Sequence, residues 1–278
     1  MVKILTDSSA DLGADGFAKL EIEVIPIQVH FGDESYTPNI NLTYEEFYTK
    51  LEKTDKIPTT TQVSPVLFEE YFTKCIENGD EVVGMFISKE LSGTFQNAVL
   101  NAQKINPDKI HIVDTKNTTF GLGLLLQIAA DFRDKGFSGK EIKQKVEDLA
   151  PRLCLFAVID TLKYLKMGGR LSAGSAIVAG MLGISPIIAV VDGKICAIGK
   201  ARGKQACFDF IDKKIDEVGV SADYPISLGH SNSLFALKQG EKRFSDILSK
   251  KKIIKAVIGP VVGAHIGPGA FGIAFIKK

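Results

Sequence analysis

Asp80-Glu81-Val82-Val83-Gly84-Met85-Phe86-Ile87-Ser88-Lys89-Glu90-Leu91-Ser92-Gly93-Thr94 contains the unit from which the rest of the chain can be read. Val82 to Ile87 is an apolar run too short for a helix and polar on both flanks, which predicts a strand buried on both faces. Ser92-Gly93-Thr94 follows at once. Ala98, Ala102 and Ile105 then keep a helical period as far as Asn106-Pro107, and Ile110 to Val113 begins another strand. Strand, polar turn, helix and strand in succession predict a parallel α/β layer.

The same grammar extends outward. Val2 to Leu5 reads as the first strand, Thr43-Tyr44-Glu45-Glu46 as a capping box, and Ser64-Pro65 as an N-cap with proline at the first helical position. Ser138 and Glu141 form another capping box, and the character of the chain changes near Pro151. Beyond it, Leu155 to Ile159 reads as a strand and Val190-Val191-Asp192-Gly193-Lys194-Ile195 as a hairpin, which requires antiparallel pairing. Phe208, Ile211, Ile215 and Val218 mark an amphipathic helix. Strands are expected at Ile226 to Gly229, Ile253 to Ile258 and Phe271 to Ile276. A chain of 278 residues suits two lobes. The expected class is α/β, with an N-terminal α/β/α domain on a parallel sheet over residues 1–152. A C-terminal α+β domain with a mixed sheet is expected over 153–278.

Composition excludes several functions. Lys and Arg number 34 against 33 for Asp and Glu, so no general nucleic-acid or anionic-membrane surface is expected. Cys75, Cys154, Cys196 and Cys207 stand too far apart for metal or redox pairs and suit reduced thiols of a cytoplasmic protein. The first residues contain no apolar stretch of secretory length. Leu171 to Val191 and Ala256 to Ile276 are uncharged, but Gly174, Gly180, Gly183 and Pro186 interrupt one, and Gly259-Pro260, Gly263, His265 and Gly267-Pro268-Gly269 the other. Neither is expected to span a bilayer as a continuous helix. An enclosed protein interior, suited to an apolar ligand, fits them better.

The usual catalytic motifs are missing: there is no G-x-S-x-G elbow, P-loop or H-E-x-x-H. Gly121-Leu122-Gly123 starts like a dinucleotide fingerprint, but Leu126 replaces the third glycine and the setting is helical. Three hydroxyl-rich turns remain, Thr6-Asp7-Ser8-Ser9, Thr59-Thr60-Thr61-Gln62 and Ser92-Gly93-Thr94. At the carboxyl ends of parallel strands such turns can receive an anion, and they can equally cap helices or shape the chain. His265 lies among glycines and prolines that predict irregular backbone, open to a ligand's approach. His30, His111 and His230 lack partners at metal-ligand spacing, so no metal or cofactor is expected.

At these residues the sequence resembles the DegV family. Thr6-Asp7-Ser8-Ser9-Ala10-Asp11-Leu12 is similar to its opening T-D-S-x-x-D-L, and Thr60-Thr61-Gln62-Val63-Ser64-Pro65 to its T-S-Q-P-S-P. Leu91-Ser92-Gly93-Thr94-Phe95-Gln96 resembles L-S-G-T-Y-Q, Gly168-Gly169-Arg170-Leu171-Ser172 resembles G-G-R-I-S, and Gly259 to Gly269 resembles G-P-V-I-G-x-H-T-G-P-G. The resemblance implies a two-lobed carrier of a long-chain fatty acid such as palmitate. The carboxylate would be held at Thr60, Thr61, Ser92 and Gly93, with His265 beside it. The resemblance further implies that the acid is presented to a separate ATP-dependent fatty acid kinase, which makes the acyl phosphate used in phospholipid synthesis. Lys163, Lys166 and Arg170, and Lys200, Arg202 and Lys204, concentrate positive charge, and the resemblance places Arg170 and Arg202 near that kinase or the phosphoryl group. Val63 for proline, Ser185 for lysine and Ile266 for threonine depart from the family pattern.

Burying an acyl chain of about 16 carbons at ~0.8 kcal/mol per methylene offers on the order of 10 kcal/mol before association costs. The chain is therefore expected to set affinity and the hydroxyls to set orientation. Two other readings stand beside the carrier: an enzyme like the dihydroxyacetone kinases that uses His265, and a regulatory sensor of fatty acid.

Overall fold

The computed structural model describes residues 1–13, 15–54, 56–173, 183–249 and 251–278. Gly174 and Gly180, which interrupt the first uncharged stretch, and Leu182 lie outside them.

In chain order the strands are β1 (Val2–Asp7), β2 (Ile22–Ile25), β3 (Val29–Phe31), β4 (Glu34–Tyr36), β5 (Thr59–Thr60), β6 (Glu81–Phe86) and β7 (Ile110–Asp114). They are followed by β8 (Leu153–Val158), β9 (Ile184–Val191), β10 (Lys194–Arg202), β11 (Ile226–His230), β12 (Ile253–Val257) and β13 (Phe271–Ile276). A parallel sheet has the order β2-β1-β6-β7, as the strand-turn-helix grammar predicts. Its two faces separate the core by residue parity. Leu5, Val82 and Phe86 pack toward the helices Pro65–Glu77 and Thr94–Ile105, whereas Ile4, Val83 and Met85 join the cluster around the helix Thr119–Asp134.

The second large sheet is mixed, with the order β10-β9-β8-β13-β11-β12, in which β11 and β12 alone are paired in parallel. Asp192 and Gly193 both have positive φ, 47° and 82°, the conformation a tight antiparallel hairpin demands. Phe271, Ile273 and Phe275 face the helices Lys204–Val218 and Leu234–Arg243 on one side of this sheet. Ala274 and Ile276, on the other, join the cluster around Thr119–Asp134.

That helix holds the molecule together. Its residues from Thr119 to Ala130 are all buried, and it packs against β1 and β6 of the parallel sheet and against β8, β11 and β13 of the mixed one. Gly121 and Gly123 serve this packing, as the failed fingerprint suggests: a Cβ on Gly123 would overlap the Asp11 carbonyl oxygen. Gly229 and Gly272, paired across β11 and β13, leave room for the Phe120 ring.

Two local readings differ from what is found. Thr59–Thr60, read as a turn, is a short strand that pairs with His30 and Val29 in the antiparallel sheet β4-β3-β5. The stretch around His265, read as irregular, contains the helix Pro260–Ile266. Pro260 occupies its first turn, where no N–H is needed, and Gly263 is tolerated inside it because the Phe47 ring and Tyr48 hydroxyl crowd that face. No helix among the described residues is long and apolar enough to cross a membrane.

Candidate functional site

A cavity lies where β5, the turn after β6, the start of the central helix, Arg170, β10 and the helix Pro260–Ile266 converge. Ile27, Ile87, Leu91, Ile195, Val261 and Val262 form its apolar wall, and Thr60, Thr61, Ser92, Thr118, Arg170 and His265 its polar one.

The expected residues meet through contacts that can be followed around the wall. His265 Nε2 is 2.9 Å from Thr60 Oγ1. Its other ring nitrogen, Nδ1, is buried without a partner among the described residues and packs against Gly168. The Gly168 carbonyl accepts Arg170 Nη1–H at 2.6 Å, and the Leu91 carbonyl accepts Arg170 Nε–H at 3.3 Å. Leu91 precedes Ser92. Thr60, His265, Arg170 and Ser92 therefore form one arc. Burial, followed by the nearby Arg170 charge, lowers the His265 pKa to about 4, so the ring is neutral at pH 7.

The hydroxyls are set for donation. Ser92 Oγ accepts the Thr94 N–H at 3.2 Å and lies 3.0 Å from Thr94 Oγ1, which itself accepts the Val63 N–H at 3.2 Å. With the Val63 amide as donor to Thr94, the Thr94 hydroxyl can donate to Ser92, which leaves the Ser92 hydrogen free. Val63 stands where the family motif has proline, and only a residue with an N–H can make this bond. A neutral His265 carrying its proton on Nε2 would act likewise on Thr60, filling its acceptor side and freeing its O–H.

Thr61 is exposed, lines the cavity and is anchored through its N–H to the Gln28 carbonyl at 3.1 Å. Gly93 is exposed and outside the lining, with the Gln62 carboxamide lying over it. Arg202 is exposed at the end of β10, while Arg170, expected with it at the partner surface, is half-buried in the cavity wall. Ser185 sits in β9 and Ile266 in the core, so neither of these departures touches the lining. Lys204 is tied to Asp160 and the Gly269 carbonyl. Among the described residues no cluster suited to a metal ion is found.

Asp11 fixes the His265 helix from behind. Its carboxyl, 2% exposed, accepts the Thr119 hydroxyl at 2.5 Å and the Gly259 N–H at 3.0 Å. Burial pushes its pKa up to about 7 against the lowering effect of those bonds. Sequence reading placed Asp11 in a motif without a role, and it missed Thr118 and the apolar wall.

Comparison with known proteins agrees with this architecture. Residues 1–278 match a family model described as an uncharacterised protein of the DegV family. A DegV domain-containing protein of Caldanaerobacter subterraneus subsp. tengcongensis is 33% identical over 278 residues, which is 100% of this chain and 99% of the relative. A solved structure described as fatty acid binding of a DegV family protein from Thermus thermophilus superposes with a TM-score of 0.89 at 27% identity, covering 100% of this chain and 99% of that one. A stearic-acid-binding protein from Eubacterium ventriosum does so with a TM-score of 0.87 at 27% identity and the same coverage.

Proposed function

Because the chain belongs to the DegV family, we propose that it binds a long-chain fatty acid in this cavity and presents the carboxylate to a separate ATP-dependent fatty acid kinase. The observation that carries the reading is the division of one cavity between an aliphatic wall and an arc of Thr60, Ser92, Arg170 and His265. An acyl chain gains affinity from the first, at roughly 25 cal/mol per Å² of apolar surface removed from water. A carboxylate needs the second. With His265 donating to Thr60 and Thr94 donating to Ser92, both hydroxyls can donate to it, and Arg170 supplies the compensating charge a buried anion requires.

The chain acts as a carrier in this reading, with the phosphoryl chemistry on the partner. Its support is that His265 bonds Thr60 and no carboxylate among the described residues, so the ring has no group to raise its basicity. Exposed Arg202 is suited to contact the kinase or the phosphoryl group. In this reading the N-terminal domain, residues 1–152, contributes the hydroxyl-rich ligand turns, and the C-terminal domain, 153–278, completes the lipid pocket with Arg170 and His265 and carries Arg202. A cytoplasmic setting would bring carrier and kinase together.

Native mass spectrometry of protein purified from a bacterial host tests the binding step. A near-stoichiometric fatty acid is expected. Protein that arrives lipid-free and takes up none of myristate, palmitate, stearate or oleate overturns the proposal. Reconstitution with candidate kinases tests presentation: acyl phosphate should appear only when both proteins and ATP are present.

A further inference from the structure

Thr118 lines the same cavity, is only 3% exposed, and its Oγ1 has no hydrogen-bond partner among the described residues. Buried hydroxyls in folded proteins nearly always find a partner, so one that faces a cavity without any points to a group supplied from outside. The rest of the residue is fully used. Its N–H donates to Asn117 Oδ1 at 3.2 Å, and its carbonyl accepts the N–H groups of Gly121 and Leu122 at 3.1 and 3.0 Å. Thr118 sits at the N-cap of the helix Thr119–Asp134, yet its side chain makes no capping bond. Neighbouring Thr119, by contrast, spends its hydroxyl on Asp11.

The position of Thr118 identifies the outside group. β6 and β7 are adjacent parallel strands, and the turns that leave their carboxyl ends carry Ser92 and Thr118 respectively. The turns are joined directly: Ser88 N–H donates to the Asn117 carbonyl at 2.9 Å, and the Ser88 carbonyl accepts the Ser92 N–H at 3.2 Å. Thr118 therefore stands on the Ser92 side of the cavity. A carboxylate has two oxygens and about four lone-pair sites, more than Thr60 and Ser92 can fill. The positive end of a 16-residue helix begins at the next residue and favours the same anion.

We propose that the Thr118 hydroxyl donates to the carboxylate of the bound fatty acid as a further head-group contact, an assignment that rests on the fatty-acid reading of the cavity. The test uses the full chain, stripped of lipid, as wild type, Thr118→Val and Thr118→Ser, with palmitate and palmityl alcohol as ligands. Valine has nearly the shape of threonine without its hydroxyl. For Thr118→Val the lipid-free melting temperature should be unchanged or higher, because an unpaired polar group is removed. Its palmitate affinity should fall about tenfold while its alcohol affinity stays within about twofold, the tenfold step corresponding to ~1.4 kcal/mol. Thr118→Ser should restore palmitate binding. Unchanged palmitate affinity, equal weakening of acid and alcohol, or a lowered lipid-free melting temperature would each overturn the assignment while leaving the fatty-acid reading intact. A wild type that takes up neither ligand removes that reading, and the assignment with it.

Discussion

Replacing Gly168 by alanine would act on the ligand site through a residue distant in sequence. Gly168 closes the helix Lys163–Met167 with φ −74° and ψ −8°, so its backbone accepts alanine without strain. The new methyl, however, would overlap His265 Nδ1 and come within 3.1 Å of His265 Cε1 and of the Tyr164 carbonyl oxygen. The imidazole must yield, and with it the 2.9 Å contact to Thr60. Overpacking of this kind costs about 1–3 kcal/mol. For a chain of this size each kcal/mol lowers the melting temperature by roughly 2–4 °C, which differential scanning calorimetry on the lipid-free protein resolves. If a misdirected Thr60 hydroxyl also loses its charge-assisted bond to the carboxylate, palmitate binding weakens by a further ~1.5–3 kcal/mol, about ten- to hundredfold in Kd. The control is a double-mutant cycle with His265→Ala. With the ring removed only the Tyr164 carbonyl oxygen, 3.1 Å away, stays close to the methyl, so Gly168→Ala should cost less there, giving a coupling of roughly 0.5–3 kcal/mol. An equal loss of stability in both backgrounds would assign the effect to the Tyr164 carbonyl and refute the reasoning. So would a Gly168→Ala protein that binds palmitate like the wild type.

Two further outcomes follow from the site. Arg170→Ala should weaken palmitate binding by about tenfold, ~1.4 kcal/mol, whereas Arg202→Ala should leave it unchanged and lower kinase-dependent phosphorylation; titration calorimetry and a reconstituted kinase assay check this, and parallel losses for both variants would contradict it. Asp11 keeps its proton in the folded protein up to about pH 7, while the unfolded chain releases it near the ordinary carboxyl value of 3.8, so its contribution to stability is full below that value and is lost as pH rises to about 7. Asp11→Asn removes this slope. Its stability relative to wild type, from urea melts, should therefore rise between about pH 4 and pH 7 by up to ~1.4 kcal/mol per unit, and a constant difference would show that Asp11 does not titrate in this window.

Much of the fold was legible because its causes are local. Val82 to Ile87 could only be a buried strand, Asp192-Gly193 supplies the two positive φ angles of a hairpin, and the capping boxes at Thr43 and Ser138 mark helix starts at the residues where they occur. The failures have distant causes. Thr59–Thr60 is a strand only because His30 and Val29 present an edge to it. Glycine and proline argue against a helix over Pro260–Ile266 by intrinsic preference, and the opposing reasons come from elsewhere in the chain. Asp11 holds the Gly259 N–H, the Tyr48 hydroxyl donates to the Ile258 carbonyl at 2.7 Å, and the aromatic side chains of Phe47 and Tyr48 occupy the space a side chain at Gly263 would need.

The site divides along the same line. Thr60, Ser92 and His265 stand out in the sequence as hydroxyls and an imidazole in turns and glycine-rich backbone, but their chemical readiness does not. Ser92 has a hydrogen to give when the Thr94 hydroxyl donates to it, and the Val63 amide, by occupying an acceptor site on Thr94, favours that direction. That relay joins residues some thirty positions apart. A surface lysine or arginine is the ordinary expectation for a charged residue, and the positive φ of Gly169, 69°, with the Leu91 and Gly168 carbonyls is what draws Arg170 inward instead. Thr118 directly precedes the helix Thr119–Asp134, a place where threonine commonly caps. Its side chain makes no capping bond, and that missing bond, visible only in three dimensions, leaves a hydroxyl in the cavity wall with a hydrogen to give and no partner among the described residues.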